Sequence, residues 1–140
     1  MVRISDKKLI QILLENSRTP YVEIAKKLGV SETAVRKRIR KLEQLGIIKK
    51  YTVEVDLRRL GYQVKAIIGV DTAPECYIST IEKLKNMDEV VSLYSASGDH
   101  MIIAECWFKS SDDLTAFIKT LEKMKGIIKI CPAVILEKIK

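Results

Sequence analysis

Four cations recur at close spacing in one segment of the 140-residue chain: Arg36, Lys37, Arg40 and Lys41. Lysine and arginine side chains donate hydrogen bonds to phosphate oxygens, and arginine also reads the edges of bases. The chemistry that these residue types offer is therefore recognition of a polyanion such as DNA. A run of charge on a helix is more often only a solvated face, so the elements that carry the cations must decide between the two interpretations.

The pattern around these cations predicts an amphipathic helix over residues 32–45. Ser31 is suited to cap its start, and Gly46 is suited to end it. The apolar residues Val35, Ile39 and Leu42 share one face at spacings of four and three. The cations therefore lie on the remaining faces, where they can meet a ligand.

Two shorter helices are predicted before this one. The first begins after Ser5, and the second covers residues 21–28 and ends at Gly29, a residue favoured where the backbone becomes left-handed. Two short helices, a tight glycine turn and a basic amphipathic helix match a helix-turn-helix. Residues 47–53 are predicted to form a following β segment, which would make the module winged. This context favours DNA binding over a merely solvated face.

The residues of the third helix are expected to form two groups, those that contact base edges and those that contact phosphates. The N-terminal part of a recognition helix approaches base edges, whereas cations elsewhere meet phosphates and give affinity without sequence information. The candidates for sequence specificity are Ser31, Glu32, Thr33, Arg36 and Lys37. The candidates for phosphate contact are Arg38, Arg40 and Lys41.

The distribution of charge divides the chain into two parts. Residues 1–60 carry 15 lysines and arginines against 7 acidic residues, whereas residues 61–140 carry 10 against 11. A positive field confined to the first part indicates a polyanion-binding module joined to a part with another role. We predict a DNA-binding domain over 1–52, a linker over 53–61 and a second domain over 62–140.

Composition excludes several classes of protein. With 47% hydrophobic and 31% charged residues, the chain is typical of globular proteins. No apolar run approaches the roughly 20 residues that span a membrane, and the first residues lack the apolar core of a signal peptide. We therefore expect a cytoplasmic protein without membrane contact. Abundant isoleucine, lysine and glutamate favour a thermophilic source.

Enzyme chemistry finds little support in the residue types. The three cysteines, Cys76, Cys106 and Cys131, are odd in number and form no C-x-x-C pair, which argues against a disulfide framework and against a zinc site. No Ser/His/Asp set, metal-ligand cluster or glycine-rich phosphate loop is present. We predict no catalytic residue, no metal and no cofactor.

The second domain is predicted to alternate strands and helices in the order βαββαβ. The predicted strands are 63–71, 89–97, 101–108 and 127–138, and the predicted helices are 74–85 and 111–123, the last one capped by Ser111. This order is that of the ferredoxin-like split unit. The chain as a whole is therefore predicted to be an α+β protein.

The strand 101–108 is apolar on both faces apart from Glu105. Two helices can cover only one face of a four-stranded sheet, and the other face would otherwise be an exposed apolar patch. A second copy packed sheet to sheet is the economical cover. We therefore expect a homodimer, which would also carry two DNA-reading helices, as a palindromic site requires.

Taken together, these motifs resemble the Lrp/AsnC family, the leucine-responsive or feast/famine transcription regulators. The resemblance covers essentially all 140 residues and is carried by residues 6–10, 18, 22–31, 35–43 and 46–51 and by Ser97-Gly98-Asp99. It implies a winged helix-turn-helix joined to a RAM-type domain of ferredoxin-like fold. It also implies binding to double-stranded DNA, dimers that assemble into octamers, and a small amino acid bound between subunits.

The resemblance implies effector contacts at the turn between the two middle strands. The residues of this turn are Ser97, Gly98, Asp99, His100 and Met101. The family usually has an aspartate three residues after the glycine, where this chain has Met101. Asp99 could pair with a ligand ammonium or cap the turn, and His100 could contact an effector or be a polar surface group.

Two glycines of the second domain carry predictions about the backbone. Gly98 is expected to adopt the positive φ that its turn requires, which also leaves room for a ligand carboxylate at exposed N–H groups. Gly69 lies inside a predicted strand and indicates close approach by another backbone.

Two functions remain open from the sequence. The first is a sequence-specific transcription regulator that responds to an amino acid. The second is a nucleoid-type protein of the same fold that organises DNA without an effector and has small specificity ratios. An enzyme or metabolite carrier is disfavoured by the charge asymmetry.

Overall fold

A computed structural model describes residues 4–140 and divides the chain into two compact units, Met1–Glu54 and Val55–Lys140. The first unit contains three helices, α1 (Asp6–Glu15), α2 (Tyr21–Leu28) and α3 (Glu32–Gln44). The second contains, in chain order, α4 (Leu57–Leu60), β1 (Val64–Thr72), a 3₁₀ turn (Pro74–Cys76), α5 (Tyr77–Lys85), β2 (Val90–Ser95), β3 (Ile102–Phe108), α6 (Ser111–Glu122) and β4 (Ile127–Val134). The helix-turn-helix and the βαββαβ order are therefore both confirmed.

The helix boundaries of the first unit follow from local capping. Ser5 Oγ accepts from the backbone N–H of Lys8 at 3.4 Å, and Ser31 Oγ accepts from that of Ala34 at 3.1 Å. Each bond satisfies one of the donors that a helix leaves free at its start. Gly29 ends α2 with φ of 66°, as expected for a left-handed cap.

Apolar faces of the three helices meet in one core. The residues with almost no exposed surface are Leu9 of α1, Ile24 of α2, and Val35, Ile39 and Leu42 of α3. Burying a side chain of this size stabilises the fold by about 1.5–3 kcal/mol. The inner face predicted for α3 is thus confirmed, and its packing fixes which side of the helix remains exposed.

The β segment predicted over 47–53 does not form in the described chain. Residues 49–56 have no regular secondary structure, and residues 46–48 form only a turn and bend after α3. An extended segment becomes a strand only when a neighbouring strand pairs with its N–H and C=O groups. The structure of this chain offers no such neighbour here, so the predicted wing is absent from it.

The boundary between the two units falls within the predicted linker. Residues 55–61 belong to the second unit, and the side chain of Asp56 accepts from the backbone N–H of Arg59 at 3.2 Å to start α4. Gly61 ends this one-turn helix with φ of 101°. This helix is only four residues long, which is too short to show a helical repeat of apolar residues in the sequence.

The second unit is a four-stranded antiparallel sheet in the order β2-β3-β1-β4. Alternate residues of β3 are buried in the core, namely Ile102, Ala104, Cys106 and Phe108, together with Leu84 of α5 and Phe117 and Leu121 of α6. Burial raises the pKa of the Cys106 thiol to about 12. The two helices therefore cover one face of the sheet.

The start of α6 differs from its prediction by one residue. Ser110, rather than Ser111, is the cap, and its Oγ accepts from the backbone N–H of Asp113 at 3.2 Å. Both serines stand before an acidic first turn, so the sequence allows either to cap. The extended backbone of Ser110, with φ of −147°, decides between them because a capping residue lies outside helical geometry.

Candidate nucleic-acid interface and ligand turn

The outer side of α3 presents most of the predicted DNA-binding residues. The exposed candidates are Ser31 and Glu32 at the start of the helix and Thr33, Arg36, Lys37, Arg40 and Lys41 along it. The helical period turns Thr33, Lys37 and Arg40 away from the buried stripe of Val35, Ile39 and Leu42, and Arg36 and Lys41 lie on the margins of this outer side. The structure thus brings seven of the eight candidates to accessible positions on one short helix.

Among the exposed cations of α3, Arg36 is the one whose guanidinium contacts other side chains of the described residues. Its Nη2 donates to Oε1 of Glu32 at 3.3 Å, one helical turn earlier. Its Cζ lies 5.5 Å from the centroid of the Tyr21 ring. Both contacts lie within the first unit, and the one with Tyr21 has no signal in the sequence pattern.

Arg38 behaves differently from the other cations of α3. Its Nε and Nη2 donate to the two carboxylate oxygens of Asp6 on α1, and its side chain is only 28% exposed. The hydrogen bond from Arg38 to Asp6 raises the pKa of the guanidinium further above its usual range. Arg38 was predicted to meet phosphate, whereas in the structure its Nε and Nη2 bond to Asp6 of α1.

A signal for this arrangement was present in the sequence. Arg38 stands three residues after Val35 and four before Leu42, which places it beside the inner stripe of the helix rather than opposite it. A cation at such a position needs a partner once the face is packed. What the sequence could not identify was Asp6 as that partner.

The turn between β2 and β3 contains the predicted effector residues. Ser97, Gly98 and Asp99 are exposed, and Gly98 adopts φ of 117°, which confirms the positive φ expected of it. These three residues present backbone and carboxylate groups to the exterior. His100 and Met101 lie partly buried beside them.

Asp71 at the end of β1 holds the last two residues of this turn. The backbone N–H of Met101 donates to its Oδ1 at 2.9 Å, and His100 Nδ1 lies 2.9 Å from its Oδ2. Because an ionised carboxylate only accepts, His100 Nδ1 carries the proton. The hydrogen bond from His100 lowers the pKa of Asp71, with smaller contributions from the Met101 N–H and from Lys129.

Asp71 is a residue that sequence reasoning missed. It lies 29 positions before His100 and carries no motif of its own. Of the two sequence interpretations of His100, a plain surface group does not fit, because its side chain is 19% exposed and hydrogen-bonded to Asp71.

Gly69 is approached by the His100 ring and not by another backbone. A Cβ placed on Gly69 would lie 2.4 Å from His100 Cδ2 and 2.5 Å from Cγ. The prediction of close approach is confirmed, but its expected cause is wrong. The glycine provides the space in which the imidazole lies on the sheet and reaches Asp71.

Among residues 4–140, no group of three or more histidine, cysteine, aspartate or glutamate side chains is placed to hold a metal ion. No helix in the same range is long and apolar enough to cross a bilayer.

Comparison with protein families assigns both units. The model of the AsnC-type helix-turn-helix domain matches residues 5–43, and that of the Lrp/AsnC ligand-binding domain matches residues 65–140. The chain is 49% identical to the HTH-type transcriptional regulator LrpA of Pyrococcus horikoshii, with all of both chains covered. It is 34% identical to LrpA1 of Halobacterium salinarum over 97% of this chain and 96% of that protein.

Solved structures share the same architecture. AsnC of Escherichia coli is 29% identical, with a TM-score of 0.79 over 99% of this chain and 96% of that one. A regulator of Neisseria meningitidis, solved in complex with L-methionine, is 22% identical, with a TM-score of 0.84 over 100% of this chain and 93% of that one. The predicted α+β fold, apart from the wing, is thereby confirmed.

Proposed function

Because the chain belongs to the Lrp/AsnC family of transcription regulators and carries the family's ligand-binding domain, we propose that it binds DNA sequence-specifically and that a small amino acid controls this binding. Its relatives are transcription regulators, several of them from Pyrococcus, in keeping with the thermophilic source that the composition indicates. No enzymatic activity and no cofactor belong to this proposal.

The observation that carries DNA binding is the division of α3 into a packed and a basic face. Val35, Ile39 and Leu42 anchor the helix, while its outer side displays cations to solvent. A helix about 10–12 Å wide fits the major groove of B-DNA. In this proposal Ser31, Glu32, Thr33, Arg36 and Lys37 approach base edges, and Arg40 and Lys41 neutralise phosphates.

Dimerisation is proposed through the sheet face that α5 and α6 leave uncovered. This face contains Ile67, Ile103 and Trp107. Glu105 accepts from the Trp107 indole N–H at 2.9 Å and lies 3.7 Å from Lys65 Nζ. An apolar face whose carboxylate is already neutralised is suited to burial against a second copy. Further assembly to an octamer rests on the family alone.

Amino-acid binding is proposed at the turn Ser97–Met101. The exposed backbone around Gly98 offers N–H groups to a ligand carboxylate, and Asp99 offers a counter-charge to its ammonium. A regulator of the same fold was solved with L-methionine, which supports an amino acid as the class of ligand. Control of DNA binding then requires that the ligand favour one assembly over another.

One observation favours the second function, a DNA-organising protein without an effector. His100 and Met101 already bond to Asp71, so only Ser97, Gly98 and Asp99 of the five effector candidates remain exposed. Met101 also occupies the position where the family usually has an aspartate. In this alternative the turn is a structural unit, and DNA binding has a small specificity ratio.

A thermal-shift screen against the twenty amino acids tests the effector. Ligand binding to the folded state raises the unfolding midpoint by mass action. A shift with one or a few amino acids supports the sensor, and the same ligand should then change binding to a duplex enriched by this protein from a random-sequence pool. If no amino acid shifts the midpoint, the sensor is rejected in favour of the DNA-organising protein.

A further inference from the structure

Tyr21, the first residue of α2, lies beside the guanidinium of Arg36 on α3. The Arg36 Cζ is 5.5 Å from the Tyr21 ring centroid, within the range of a cation–π contact. Glu32 accepts from Nη2 of the same guanidinium at 3.3 Å. An aromatic ring from a different helix and a carboxylate from its own helix thus hold this one arginine.

We propose that Tyr21 is a positioning residue for DNA readout, which with Glu32 holds Arg36 in the orientation that reads a base. This inference rests on the proposed function, since it assumes that α3 enters the major groove. It assigns sequence discrimination to a residue that lies on α2, outside the recognition helix.

The chemistry of arginine explains why positioning matters for this task. The guanidinium is a planar fork that pairs with both acceptors of a guanine edge, so its plane and direction decide whether the bonds form. The Arg36 side chain is 52% exposed and long. Left without support, it would lose much rotamer freedom on binding, and support that exists before binding lowers this cost.

Tyr21 is suited to give that support because its own ring is held. The ring is partly buried and packs against the core formed by Leu9, Ile24 and Val35. Pro20, the N-cap immediately before it, has φ of −61°. A side chain fixed by the core transmits that rigidity to the guanidinium on its face.

The other cations on the outer side of α3 have no comparable support. Within residues 4–140, Lys37, Arg40 and Lys41 take part in no ion pair or ring contact. Phosphate contacts depend mainly on charge and tolerate many geometries, whereas base contacts depend on orientation. The difference in support therefore matches a difference in task between Arg36 and its neighbours.

The test compares Tyr21→Leu with Tyr21→Phe. Leucine keeps the apolar bulk that packs on the core but removes the ring, whereas phenylalanine keeps the ring and removes only the hydroxyl. The probes are a duplex enriched from a random-sequence pool by the unmodified protein and a shuffled duplex of the same composition. We expect Tyr21→Leu to weaken binding to the enriched duplex by about two- to fivefold, the range of an exposed cation–π contact, and to leave binding to the shuffled duplex unchanged.

A double-mutant cycle separates positioning from packing. If Tyr21 acts through Arg36, Tyr21→Leu causes no further loss of affinity for the enriched duplex once Arg36→Met is present. Tyr21→Phe should bind like the unmodified protein in both backgrounds. The proposal would be overturned if Tyr21→Leu lowered the affinity for the enriched duplex equally in the unmodified and the Arg36→Met backgrounds. It would also be overturned if Tyr21→Leu lowered the affinity for both duplexes equally.

The proposed function is tested apart from this inference by Lys37→Ala combined with Arg40→Ala. If that double variant binds the enriched duplex as well as the unmodified protein does, the assignment of α3 itself fails. If the double variant loses binding while Tyr21→Leu keeps full affinity and discrimination, the inference about Tyr21 fails and the function stands.

Discussion

Arg38 and Asp6 lie 32 positions apart in the sequence and are joined by two parallel hydrogen bonds from the guanidinium to the carboxylate. The pair ties the first turn of α1 to the middle of α3. Asp6 also stands at the positive end of α1, where a carboxylate is favoured. The cation that sequence reasoning assigned to phosphate therefore orients the recognition helix within its own unit.

The Asp6–Arg38 pair should matter for stability and little for DNA affinity. We expect Arg38→Met and Asp6→Asn each to lower the melting temperature, with less than additive effects in the double variant because one interaction is lost in all three. Arg38→Met should leave the salt dependence of DNA binding unchanged, whereas Arg40→Met should reduce its slope by about 1. Thermal unfolding measures the effect on stability, and a salt titration of DNA binding measures the slope. A reduced slope for Arg38→Met would indicate that Arg38 contacts phosphate after all.

Lys37→Ala combined with Arg40→Ala should abolish binding to the enriched duplex and leave the oligomer intact. Both side chains are exposed on the outer side of α3, so their removal takes charge from the interface without opening the core. The matched control is Lys7→Ala combined with Lys8→Ala, which removes the same charge from exposed positions of α1. Fluorescence anisotropy at moderate salt and sedimentation measure the two properties, and equal losses in both variants would show an effect of net charge alone.

Gly69→Ala should displace the His100 ring, because the new Cβ would lie 2.4 Å from His100 Cδ2. Overpacking of this kind costs about 1–3 kcal/mol of stability, and the ring would also lose its bond to Asp71. Gly69→Ala should lower the free energy of unfolding much less in a protein that already carries His100→Ala. Urea unfolding at equal protein concentration measures both backgrounds. A similar cost in each would mean that the ring is not what excludes a side chain at position 69.

Asp71 should contribute stability that depends on pH. Its pKa is lowered in the folded chain, first by the hydrogen bond from His100, so folding favours the ionised form. The contribution is present above the ordinary aspartate pKa of about 3.9 and is lost as pH falls through the lowered value. Asp71→Asn should therefore be less stable than the unmodified protein at neutral pH, by about 1.5–3 kcal/mol for a charged hydrogen bond. The difference should shrink on acidification below about pH 4. Urea midpoints measured along this range test the sign, and a gap that widens in acid would contradict it.

Asp99→Ala should remove the response to an amino acid and leave basal DNA binding unchanged. Asp99 is exposed at the effector turn and is the proposed counter-charge for the ligand ammonium. Asp88→Ala, which removes an exposed carboxylate elsewhere in the same unit, is the control. Calorimetry with the amino acid found in the thermal screen measures the affinity, and unchanged binding by Asp99→Ala would place the ligand elsewhere.

The elements that sequence reasoning located correctly are those governed by near neighbours. The inner stripe of α3, its cap Ser31 and the left-handed Gly29 depend on residues within about four positions, and the structure confirms each of them. The βαββαβ order of elements in the second unit was also predicted, because turn residues and changes of periodicity separate its strands from its helices. The one-residue error at Ser110 shows how local signals become ambiguous when two adjacent residues can cap.

The sequence by itself determined the helix-turn-helix, the βαββαβ order and the cationic outer side of α3, since propensity and periodicity act along the chain. Only the tertiary structure decided the partners of Arg38, Arg36 and His100, the role of Gly69, and the absence of a strand at 47–53. Each of these depends on which distant segments become neighbours. Long-range pairs such as Asp6 with Arg38 and Asp71 with His100 leave no periodic trace, because their spacing is set by how elements pack and not by the repeat of any one element.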